Sequence, residues 1–161
     1  MEYDNSGVRR QDRLLDEASA VKLLRESEYG VLSMIDENGL PYAVPVNHIW
    51  DGGSSIYIHC APEGRKLRAI KSHPEVSFCV VGHTNLLPNK FTTEYESIVI
   101  SGKASIGLTE EERWHALELL LDKLSPNDKT IGLKYSEKSF HRVDIIRIDI
   151  EKWSGKAKRV T

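Results

Sequence analysis

Apolar side chains fall on alternate positions through much of this chain, and where that period breaks it gives way to helical spacing. Leu40, Tyr42, Val44 and Val46 share one phase, the pattern of a strand with one buried face. Pro41 and Pro45 fall on the other phase. Each lacks a backbone donor, so this strand belongs at an edge or carries an irregularity, leaving backbone groups of Val44 to Asn47 free for something other than a neighbouring strand. Asp51-Gly52-Gly53 supplies the positive-φ residues of a hairpin turn; after it Ile56, Ile58 and Cys60 line one face of the return strand, and Tyr57 and His59 the other. Upstream, Val31 to Ile35 form a strand that turns at Glu37-Asn38-Gly39, so three strands follow one another through short turns as an antiparallel meander. Val76, Phe78 and Val80 mark a further strand, and Ile98, Ile100, Ala104 and Ile106 a long one in which Gly102 permits a bend or a close backbone approach. In the last strand Val143 and Ile145 take one phase while Ile146, Ile148 and Ile150 take the other, which predicts a bulge.

Helical spacing appears in three places. Asp16 caps a helix running to about Glu28, with Ala20, Val21 and Leu24 inward. Residues 64–72 form a second, with Leu67 and Ile70 inward, stopped at His73-Pro74. Thr109-Glu110-Glu111-Glu112 is a capping box opening a third to about Leu124, whose stripe of Trp114, Leu117, Leu120 and Leu121 serves core or dimer packing. Two stretches follow neither period. Residues 1–14 are polar and read as a flexible N-terminal arm or a strap across a partner subunit. Residues 82–96 are long for a connection and read either as a lid over a site or as a plain excursion. The class is therefore mainly β with flanking helices. A Rossmann sheet is excluded by the short turns and the lack of a GxGxxG motif.

Composition narrows the chemistry. A chain of 161 residues suits one domain with a substantial core, and its hydrophobic fraction of 40% is that of a globule. The 22 basic and 24 acidic residues nearly cancel to a net charge of −2, so nothing global favours nucleic acid or an anionic membrane, and any preference for anions must be local. No apolar run approaches the ~18 residues of a membrane span and Met1 to Asn5 is no signal h-region, which together read as cytoplasmic. Cys60 and Cys79 have no CxxC spacing and read as buried free thiols; the six histidines show no paired metal-ligand spacing. The local anion preference has one candidate. Arg65 and Lys66 stand in the first turn of the helix after Pro62-Glu63-Gly64, where free backbone N–H groups and two cations make a phosphate site in outline; the plain alternative is a solvated basic face shared with Arg68 and Lys71. Trp153 beside Gly155, Lys152 and Lys156 is either an exposed strand-end anchor or an aromatic and cationic wall for a planar anionic ligand.

Taken in order, Tyr42-Ala43-Val44-Pro45-Val46-Asn47, Ile56-Tyr57-Ile58-His59, Glu63-Gly64-Arg65-Lys66-Leu67, Ser97 to Gly102 and Lys152-Trp153-Ser154-Gly155-Lys156 resemble the FMN-binding split-barrel proteins related to pyridoxamine 5′-phosphate oxidase, and within them the nitroimidazole-resistance reductases. The resemblance spans residues 15–157, with 158–161 as a tail. It implies a six-stranded antiparallel Greek-key split β-barrel that forms a homodimer, with FMN in two clefts at the interface. It further implies that Val44, Pro45, Val46 and Asn47 meet the flavin edge, Arg65 and Lys66 its phosphate, and Ser101, Trp153 and Lys156 the remainder, the last two from the partner. His59 matches the branch's flavin-side histidine and becomes both a cofactor contact and the catalytic candidate. The oxidase's own substrate-binding Arg and His residues have no counterpart in Ala157 to Thr161, which turns the expected activity from pyridoxamine phosphate towards reduction of small nitro-aromatic compounds. The alternative within the same fold is a flavin- or haem-binding carrier or sensor without turnover. A metal and a nucleic-acid partner are not expected.

Overall fold

The computed structural model describes residues 1–160. The alternating segments become strands β1 (Glu2–Tyr3), β2 (Tyr29–Ile35), β3 (Pro41–Asn47), β4 (Ile49–Trp50), β5 (Ser55–Cys60), β6 (Glu75–Leu87), β7 (Thr92–Ser105) and β8 (Asp144–Lys158). Among the described residues these make one sheet in the order β3-β2-β6-β7-β8-β5-β4, with β1 added parallel to β8. The sheet curls until β3 comes alongside β5, yet no ladder joins the two. This open seam is the split of an antiparallel split barrel, whose walls are the six longer strands. Leu32, Phe78, Val80, Ile98, Ile100, Ile56, Ile58, Ile146 and Ile148 fill its interior, all at 0% exposure. Burying each such side chain is worth about 1.5–3 kcal/mol.

Around the barrel lie α1 (Glu17–Glu26), α2 (Arg65–Ser72), α3 (Glu110–Leu124) and α4 (Lys129–Ser139). The expected caps form: the Asp16 carboxylate accepts from the Ser19 N–H, and Thr109 Oγ1 accepts from the Glu112 N–H at 3.2 Å. Ala116, Leu117 and Leu120 of α3 pack on Tyr57 and Ile145, while Trp114 stacks on Phe140 with centroids 4.6 Å apart, so the α3 stripe is packing within this chain. Helix α4 lies beyond any sequence expectation. Its apolar residues Ile131 and Tyr135 stay exposed and make no clear inward face.

Four expectations require correction. The change of phase in β8 is not a bulge, because β5 and β8 stay in register from Ser55↔Asp149 to Cys60↔Asp144. Ile145 and Ile146 are both buried since one face of β8 packs on α3 and the other fills the barrel. The true irregularity is further on, where Ser101 pairs with Lys152 but Gly102 with Ile150, leaving Glu151 extra. At Gly102 a Cβ would come within 2.3 Å of the Asp149 carbonyl oxygen, so the close approach requires glycine. Residues 82–96 are no lid: β6 and β7 continue as a hairpin to Leu87↔Thr92, and a register shift between Val81 and Thr84 hides the period. The segment 1–14 is tied to its own chain by the β1–β8 pairing and by the Asn5 side chain, which accepts from the Gly155 N–H. Leu40, expected inward, is 57% exposed at the β2–β3 turn.

Candidate functional site

The seam between β3 and β5 is lined by backbone that the sheet does not use. The Asp36 N–H donates to the Leu40 carbonyl, which sets the alternation of the β2–β3 ladder: Tyr42, Val44 and Val46 bond to β2, and Pro41, Ala43, Pro45 and Asn47 turn their backbone groups outward. Both prolines therefore sit where no ladder donor is lost. On the opposite wall the Asp51 N–H donates to the Ser55 carbonyl, and by the same alternation the His59 N–H and C=O point away from β8, past the end of β4. The seam thus offers donors at Ala43, Asn47 and His59 and an acceptor at Pro45. The side chains of Val44 and Val46 pack inward against the core, and the Asn47 side chain donates to the Glu28 carbonyl at 2.9 Å, fixing the end of β3.

The first turn of α2 straddles one end of this seam. On the β3 side Arg65 Nη2 donates to Asp36 Oδ2 at 2.7 Å, and its guanidinium lies 4.1 Å from the centre of the Tyr42 ring. The Asp36 carboxyl is almost fully buried and also accepts from the Asn38 and Leu40 N–H groups. The Arg65 hydrogen bond, then the Leu40 and Asn38 N–H groups, hold it below the usual carboxylate range against the cost of desolvation. On the β5 side Lys66 is half-buried and close enough to act on both His59 and Cys60. His59 is exposed; even so, desolvation and then Lys66 lower its pKa below the ordinary imidazole value, so it is mainly neutral near pH 7. Cys60 and Cys79 are both half-buried rather than buried; burial and the nearby Asp144 push the Cys60 thiol up to about 11, and burial alone raises that of Cys79. Neither is a ready nucleophile.

The candidate residues fall into two groups. Val44, Pro45, Val46, Asn47, His59, Arg65 and Lys66 surround the seam. Ser101, Trp153 and Lys156 lie elsewhere, on the β7–β8 ladder. From Ile145, opposite His59, to Trp153 is up to ~26 Å of strand at ~3.3 Å per residue. Ser101 is exposed and Lys156 half-buried. Trp153 corrects the expectation of an exposed ring: it is 2% exposed, packed in the barrel core with Tyr3 edge-on at 4.8 Å. Its own chain covers it, so it presents no wall to a ligand. Two residues at the seam escaped sequence reasoning. Asp36 is indistinguishable there from a turn acid, and Tyr42 from a core aromatic; the pairing with Arg65 becomes visible only when α2 docks on the β2–β3 turn.

The donor set fits a flavin mononucleotide. Alternating outward donors and an acceptor on an edge strand suit the polar edge of a planar ring, and Arg65 with Lys66 at one end suits a phosphate. A cleft of about 500 Å³ opens on another side of α2, between Leu67, Lys71 and Ile106, and contains neither β3 nor His59. Among the described residues no cluster of metal-ligating side chains occurs, and no helix is long and apolar enough to cross a membrane.

No curated protein sequence matches this chain. Solved structures do. One, provisionally described as a 5-nitroimidazole antibiotic resistance protein from Bacteroides thetaiotaomicron, superposes with a TM-score of 0.76 at 20% identity, covering 90% of this chain and 86% of that one. A FAD-binding protein from Mesorhizobium loti gives 0.63 at 22% identity, with 91% and 98% covered. The FAD and haem binding protein from Mycobacterium smegmatis gives 0.68 at 18% identity, with 90% and 72% covered. At these identities the likeness speaks for the fold. The family model described as pyridoxamine 5′-phosphate oxidase matches residues 16–157, the whole barrel with its helices, and the chain belongs to that family.

Proposed function

We propose that this protein is an FMN-dependent oxidoreductase that reduces small nitro-aromatic compounds. The carrying observation is the position of α2, whose first two residues reach both walls of a seam lined with unused backbone donors and acceptors. A flavin bound there in its reduced form would supply the electrons for reduction. The backbone of Ala43 to Asn47 holds the ring edge, and Lys66 and Arg65 hold the phosphate. His59, neutral and exposed beside Lys66, would orient the substrate through a ring N–H and relay to it a proton taken up from solvent on the other ring nitrogen. Ser101 and Lys156 lie too far along the sheet to join this seam, so in this reading a second copy of the chain contributes them and the working unit is a homodimer. Sedimentation of the flavin-loaded protein should give a dimer; a loaded monomer counts against it.

The decisive experiment is the visible spectrum of the purified protein followed by anaerobic turnover. Bound flavin absorbs near ~450 nm. Reduced protein that is reoxidised by a nitroimidazole with product formed supports the reading, and bound flavin without turnover supports a carrier. A carrier reading also has support, because the similar structures include FAD-binding and FAD and haem binding proteins and because, among the described residues, the His59 side chain makes no hydrogen bond.

A further inference from the structure

Arg65 stands in an arrangement more elaborate than an ion pair on a surface helix needs. Its partner Asp36 is 2% exposed, and the carboxylate is saturated on one side by two backbone N–H groups, so the remaining oxygen is fixed in place for the guanidinium. The guanidinium carbon lies over the Tyr42 ring, 4.1 Å from its centre. One nitrogen is taken, the ring lies against the guanidinium, and the side chain still has 46% of its surface open. Among the described residues the other guanidinium donors make no hydrogen bond. Beside it, Arg68 donates to Glu37 at 3.0 Å, so α2 is latched to the β2–β3 turn through two successive acids. Lys66, by contrast, has no acidic partner in the structure among the described residues.

We propose that Asp36 and Tyr42 are positioning residues that fix the Arg65 fork for the terminal phosphate of the bound cofactor and so make the site choose a phosphorylated flavin over an unphosphorylated one. This rests on the flavin reading above and names what sets its selectivity. Lys66 supplies the bulk of the positive charge and Arg65 the geometry, because Arg65's charge is already countered by Asp36.

Charge and geometry make opposite predictions for one substitution. Asp36→Asn removes a negative charge near the phosphate, which by attraction alone tightens FMN binding. If Asp36 acts by holding the fork, the same change weakens it. Titration of the purified protein with FMN and with riboflavin, followed by quenching of flavin fluorescence, separates the two. The expected result for Asp36→Asn is an FMN affinity lower by about tenfold with riboflavin affinity within about twofold of wild type. Tyr42→Phe keeps the ring face and should keep the wild-type preference, whereas Tyr42→Leu and Arg65→Lys should lose it several-fold. An unchanged or raised FMN-to-riboflavin ratio in Asp36→Asn and in Tyr42→Leu overturns the inference and leaves the functional reading standing. Should the wild type quench neither flavin, the functional reading falls, and this inference with it.

Discussion

His59 is held near pH 7 as a neutral ring by two effects, one of which a bound anion would alter. Partial burial is fixed by the fold, but the Lys66 contribution is cancelled once an anion pairs with that ammonium. The imidazole should therefore titrate below its ordinary value in the empty protein and move upward when FMN binds, and by much less with riboflavin; the ring-proton shifts of His59 in an NMR titration measure this. Substitution tests its role in the reaction. His59→Gln and His59→Ala should retain FMN and lose nitroimidazole turnover by at least about tenfold, roughly 1.4 kcal/mol of transition-state stabilisation. Unchanged turnover with FMN bound would make it a structural residue. The phase of His59 opposite Ile56 and Ile58 was readable in the sequence because a strand alternates strictly. Its neighbour Lys66 was readable as a helix-start cation. That Arg65 spends one edge on Asp36 was not, since nothing in the local pattern says which turn a helix will dock on.

Among the elements, β8 shows where alternation stops being informative. A strand buried on one face announces its register, but β8 is covered on both, by the barrel interior and by α3, and its adjacent isoleucines carry no phase. Other causes hid α4, which has little inward stripe to detect, and the outer half of the β6–β7 hairpin, where β6 is largely exposed, β7 is half-buried without alternation and the register shifts between Val81 and Thr84. Where one face alone is covered, as in β2 and the inner part of β7, the pattern and the structure agree. Ile145→Ala removes the side chain that joins β8 to α3 and should destabilise the protein by about 2–5 kcal/mol, read as a lowered midpoint in urea. Thr109→Ala loses only the α3 cap and should cost about 1 kcal/mol. A smaller loss at Ile145 than at Thr109 would mean that α3 is held mainly by its own ends.

The whole molecule is pinned at His48, which sits at 0% exposure between β3 and β4. Its Nε2 lies 3.2 Å from the Leu24 carbonyl and 3.3 Å from Ser27 Oγ of the α1 end, its ring meets Phe78 of β6 edge-on, and its carbonyl accepts from Lys123 of α3 at 3.0 Å. Desolvation, followed by the charge of Lys123, lowers its pKa to about 4. A base whose folded pKa lies below its unfolded value of about 6.5 binds protons better when unfolded. Stability is thus full above about 6.5, falls as the pH drops towards about 4 by something on the order of 3 kcal/mol, and levels below that. His48→Gln should flatten this limb of the urea-midpoint profile. An equal slope in wild type and variant would assign the acid sensitivity to the carboxylates.

The seam also sets a clock. Along β3 the amides of Tyr42, Val44 and Val46 are locked into the ladder with β2, while those of Ala43 and Asn47 face outward, so solvent deuterons should reach alternate residues of one short strand at rates far apart. A ligand seated in the seam would slow the fast pair and leave the slow trio as they were. Few binding sites report their occupancy through the main chain in this way, and here the prolines help: Pro41 and Pro45 carry no amide at all, so the readable signal narrows to two isolated hydrogens, one at each end of the surface on which a planar ligand would lie.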